Sequence, residues 1–160
     1  MRTRKEQFNL LIFISQSTII EMLDNQGAFD FNGNMKDFAA ASASNQGSQT
    51  GKFDYSFSEL YNMYDGYMDK AGLVTSPYLF ITQGENLAHN LMNYGNYLWG
   101  ATGYTCGYYL FMLKIGAHLN SLMNSRYNSY HPQMDSTDDQ KSIAAGYRYA
   151  QMNKFKKLKK

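Results

Sequence analysis

A chain of 160 residues with 44% hydrophobic content suffices for one domain with its own core. Charged residues make up only 18% and the formal net charge is +2, so the surface is filled by Asn, Gln, Ser, Gly and 14 tyrosines rather than by a dense field of either sign. The single cysteine, Cys106, excludes an internal disulfide framework and a CxxC zinc pair; within its apolar Gly/Tyr segment it reads as an inert thiol.

The N-terminal stretch MRTRKEQFNLLIFISQSTIIEML places basic residues before a short apolar run, Leu10 to Ile14. No small-x-small cleavage pattern follows, so a signal peptide is not convincing. Phe8, Leu11, Ile12, Ile19, Met22 and Leu23 fit one helical stripe, which predicts a helix from about Thr3 to Asp24. Residues 1–26 are thus an N-terminal helical element. Residues 27–55 are a connection rich in Gly, Ser and Asn, with turns at Asn32–Gly33 and Gln46–Gly51 and one short helical turn around Asp37–Ala43.

From residue 56 to 160 the pattern is that of a helical core. Ser56 and Glu59 have capping-box spacing and open a helix to Ala71. VTSPYLF is extended or turn-like, because Pro77 disfavours helix at the residue before it. Thr82 and Glu85 repeat the capping spacing and predict a helix through Leu87, Asn90 and Tyr94, ended or kinked at Gly95. A long helix is expected from Gly100 to Arg126, and Thr137 with Gln140 opens the last one. No strand pattern persists. The expected fold is mostly α: a single compact domain of four to five helices around a Gly/Tyr-rich central helix.

That centre is the 23-residue uncharged run from Leu91 to Leu113. Its length would cross a bilayer, but Asn93, Asn96, Thr102 and Thr105 make insertion unfavourable. Gly100, Gly103 and Gly107 instead fall on one helical face that another backbone can approach. A buried seam is expected, with no stable membrane insertion. A phosphate loop is excluded, because no Lys-Ser or Lys-Thr follows the second glycine of the Gly95/Gly100 pair.

Candidate chemistry is sparse. Glu85 and His89 stand at i and i+4 on the predicted helix, a spacing suited to an acid–base pair or to a plain surface hydrogen bond. HExxH is absent and no third ligand accompanies them, so no metal or cofactor is expected. Asn96 and Tyr97 flank a glycine break that can present polar groups to a cleft, or serve as a cap and a core aromatic. The Lys154–Lys160 tail could attract a nucleic-acid backbone, though short Lys tails are more often solubilising ends.

The stretch YGNYLWGATG resembles the FGNFNYGATG signature of the polymorphic toxin type 44 family, C-terminal domains of bacterial antagonistic toxins. Asn96, Tyr97, Gly95, Gly100 and Gly103 occupy its positions, and Trp99 replaces its tyrosine. Asp139, Gln140, Ile143, Gly146 and Tyr149 match a downstream pattern, and GKFDYS matches an upstream GPWDYK element through Asp54 and Tyr55. Leu98 and Ser56 depart from the family, which has Asn and Lys there. The resemblance implies a secreted or injected effector for interbacterial competition, neutralised by a cognate immunity protein. Catalytic candidates are then Glu85, His89, Asn96, Tyr97, Asp139 and Gln140; Asp54, Tyr55, Trp99 and Tyr149 are candidates for substrate binding. The expected activity is metal-independent hydrolysis of RNA by a monomer. The alternatives are an envelope-directed toxin, acting on peptidoglycan or forming pores, and a catalytically silent protein-interaction module.

Overall fold

The computed structural model describes residues 11–43, 50–60, 78–84, 86–123 and 137–156, with the backbone alone for residues 120–123. Among them are five helices and a small three-stranded sheet. The protein is mostly helical, as its sequence predicts, but the sheet is a correction.

The sheet forms from short apolar runs. β1 (Leu11–Ile14) pairs in parallel with β2 (Tyr78–Ile81), in register from Leu11 with Tyr78 to Ile14 with Ile81. β3 (Ala88–His89) pairs antiparallel with β2, placing Leu79 opposite His89. Ile14, Leu79 and Ile81 are buried, while Phe13 and Tyr78 are exposed on the sheet's other side. Two expected helices are shortened accordingly. Leu11–Ile14, expected as part of the first helix, is strand, and α1 (Gln16–Asn25) starts only after Ser15, whose hydroxyl accepts from the Thr18 N–H. The apolar stripe survives in α1 as Ile19, Met22 and Leu23. The helix expected from Thr82 to Tyr94 is instead a turn at Thr82–Gln83, then β3, then a helix start at Leu91. Four-residue apolar runs suit strand and helix alike, and here the ladder with β2 decides.

The 27–55 connection is more than a spacer. It holds α2 (Met35–Ala41), opened by a reciprocal cap in which Asn34 Oδ1 accepts from Asp37 N–H and Asp37 Oδ2 accepts from Asn34 N–H. It also delivers Phe29, Phe38 and Phe53 to the core.

α3 (Leu91–Thr105) is the buried seam. It does not end at Gly95, one of the two outcomes the sequence predicts there. The expected long helix from Gly100 to Arg126 is in fact the end of α3 and a separate α4 (Leu110–Met123). Gly107 separates them: its φ of +90° stops α3, and the Tyr108 N–H donates back to the Gly103 carbonyl at 2.9 Å. α5 (Thr137–Met152) begins where the sequence predicts. α3 and α5 meet backbone to backbone. A Cβ on Gly100 would overlap the Ile143 carbonyl, and one on Gly146 would overlap the Tyr97 carbonyl. No helix among the described residues is long and apolar enough to cross a membrane.

Candidate functional site

A cavity of about 420 Å³ opens on the side of α3 that carries Asn96 and Trp99, within the size range of about 300–1,000 Å³ typical of small-molecule sites. Its walls come from α2, the 53–56 segment, α3 and α4. One wall is aromatic. Phe38 lies 5.6 Å from Phe53 and 5.8 Å from Trp99, centroid to centroid. The facing wall is aliphatic, from Met112, Leu113, Gly116 and Ala117 of α4. The polar groups are Asp54, Ser42, Ser56 and Asn96.

Each polar group is placed by its local structure. Trp99 Nε1–H donates to Ser42 Oγ at 2.8 Å, and that hydroxyl donates to the Phe38 carbonyl at 2.8 Å, so the indole is fixed against the end of α2. Thr50 Oγ1 donates to Asp54 Oδ2 at 2.7 Å, orienting the carboxylate. Asn96 Nδ2 donates to Asp139 Oδ1 at 2.8 Å, tying the signature-like stretch to the first turn of α5. Ser56 sits over Gly95, where a Cβ would overlap its Oγ; the glycine is what admits the hydroxyl.

The candidates from sequence divide into two groups. Asp54, Tyr55, Asn96 and Trp99 line the cavity, and Asp139 joins them through Asn96. Tyr55 contributes as a wall rather than as an acid. It is 1% exposed, and its hydroxyl stands 2.6 Å from Thr102 Oγ1. Because Thr102 already donates to the Leu98 carbonyl, Tyr55 is the donor of that pair. Burial drives its pKa far above the ordinary phenol value.

Tyr97, Tyr149 and His89 lie away from the cavity lining, in the core. The His89 ring is 5.2 Å from Tyr97, and Tyr97 is 5.9 Å from Tyr149. Burial raises the Tyr149 pKa, which suits a core aromatic. His89 belongs to β3, so the expected helical face shared with Glu85 does not exist; Glu85 itself lies outside the described residues. Gln140 is in the first turn of α5, half-buried beside Asp139. Among the described residues no group of three or more His, Cys, Asp or Glu side chains is placed to hold a metal ion.

Ser42, Phe38, Phe53 and the α4 wall were not legible as site residues, because their meeting depends on how α2 and α4 dock on α3. Ser56 carried a signal in its departure from the family pattern. Of the two departures, Leu98 is fully buried in the core, whereas Ser56 faces the cavity. No family model, curated protein or solved structure matches this chain in comparisons with known proteins.

Proposed function

We propose that this chain is an effector domain of the polymorphic toxin kind, restrained by a cognate immunity protein, and that the cavity beside Asn96 is its working site. The observation that carries this reading is convergence. Asp54, Asn96 with Trp99, and Asp139 belong to three separate motif-like segments, and they gather at one cavity and its rim. Asp54 is the carboxylate of the lining and the group best placed for proton transfer to a bound ligand. RNA cleavage through Glu85 and His89 is not part of this proposal, since His89 is 5% exposed in β3 and is not in the lining.

Expression in a bacterium, with and without periplasmic export, tests the reading. Growth arrest in one compartment, abolished by Asn96→Ala and Asp54→Asn in chains that still fold, is the expected result. Arrest indifferent to both substitutions removes the cavity from the mechanism, and no arrest in either compartment removes the effector reading. A second reading, a catalytically silent interaction module, draws on the outer face of α4, where Phe111 and Ile115 are exposed at i and i+4. It predicts a stable protein complex lost with Ile115→Glu and untouched by Asn96→Ala.

A further inference from the structure

Ser56 is 6% exposed, lines the cavity, and makes no hydrogen bond among the described residues. The hydroxyl opens on the cavity, where a ligand group can take the place of water as its partner. The groups around it define that ligand. The half-buried Trp99 indole offers an apolar ring face, backed by the buried Phe38 ring, which is tilted 36° to it. The Ser56 hydroxyl, the Asn96 amide and the Asp54 carboxylate supply donors and acceptors at its edge. Among the described residues no Lys or Arg is in the lining, and a carboxylate is, so a phosphate would enter against the local charge there.

We propose that this cavity binds a neutral sugar ring of an envelope glycan, a deepening that rests on the cavity being the working site argued above. A pyranose has an apolar C–H face to lay on the aromatic wall. It also has hydroxyls that both donate and accept, which Ser56, Asn96 and Asp54 can match at once. The carboxylate of Asp54, held in place by Thr50, selects for such a ring over an anionic one through its charge.

Trp99 is the chain's single tryptophan and lies in the wall, so its fluorescence reports occupancy directly. The full chain is titrated with the N-acetylglucosamine trimer, with maltotriose and with guanosine monophosphate. A saturable change with at least one sugar and none with the nucleotide is expected. Ser56→Ala should weaken sugar binding about tenfold, the share of one hydrogen bond, and Asp54→Asn should weaken it as well. Unchanged far-ultraviolet circular dichroism and apo emission show that each variant folds. Response to the nucleotide alone, or to no ligand, overturns the proposal, as does Ser56→Ala binding sugar as tightly as the parent chain. Growth arrest lost in Asn96→Ala while no sugar titrates Trp99 defeats the sugar assignment and leaves the effector reading intact. Sugar binding without growth arrest does the reverse.

Discussion

On the side of α3 turned to α5, Gly100 and Gly146 let two helix backbones touch, and Tyr94, Tyr97, Leu98 and Ala101 close the space around them. On the side turned to α2 and α4, Asn96 and Trp99 are only half-buried and border an open volume, while the hydroxyl of Ser56 stands over Gly95. One helix therefore carries a face packed to contact and a face kept from packing. The first supplies rigidity and the second can receive a ligand. The lesson is that the glycines of a single run do different work. Gly100 removes a side chain so that a backbone can approach; Gly95 removes one so that a polar group can reach the cavity.

Gly146→Ala strikes the packed face hardest. Its Cβ would lie on the Tyr97 carbonyl, and the overlap should cost about 3 kcal/mol, outweighing the roughly 1 kcal/mol that alanine gains over glycine in a helix. Urea denaturation measures it. A neutral result would mean that α3 and α5 are not in backbone contact, and the contrast between the faces would collapse.

Tyr55→Phe tests the boundary between the faces, since Tyr55 lines the cavity yet donates to Thr102 in the core. Losing that bond should cost about 1 kcal/mol near neutral pH. The pH dependence is more specific. The folded phenol titrates well above the ordinary 10.0, so its contribution is constant below about that pH and falls as pH rises from there toward the folded value. Alkaline unfolding should therefore be less steep in Tyr55→Phe. Identical slopes would show that the phenol is not buried as described.

Gly116→Ala is the mild counterpart on the cavity face. Its Cβ would rest 3.9 Å from the Trp99 ring, an ordinary contact, so the substitution should stabilise the chain by about 0.5–1 kcal/mol through helix propensity. The same chemical change thus carries opposite signs on the two faces. Destabilisation at Gly116 would mean that the α4 wall is tighter than the cavity allows.

Short-range chemistry alone set several features. Thr137, Asp138 and Asp139 mark the start of α5, and the uncharged, glycine-bearing run from Leu91 to Thr105 marks the helix that is largely buried. These depend on a residue and its near neighbours, so they are written in order along the chain. The candidate site was half legible: Asp54, Asn96 and Trp99 through motif resemblance, but not Ser42 or Phe38, which no local pattern distinguishes. Tertiary structure decided the rest. Leu11–Ile14 continues a helical stripe as well as it forms a strand, and the backbone bonds offered by β2 tip the balance. His89 would face outward on a helix and is buried once Leu79 pairs with it. Gly107 could have continued the glycine face of α3, yet in its left-handed turn it sends α4 back across the helix to wall the cavity. In each case two local conformations lie close in energy, and a partner far away in sequence supplies the difference.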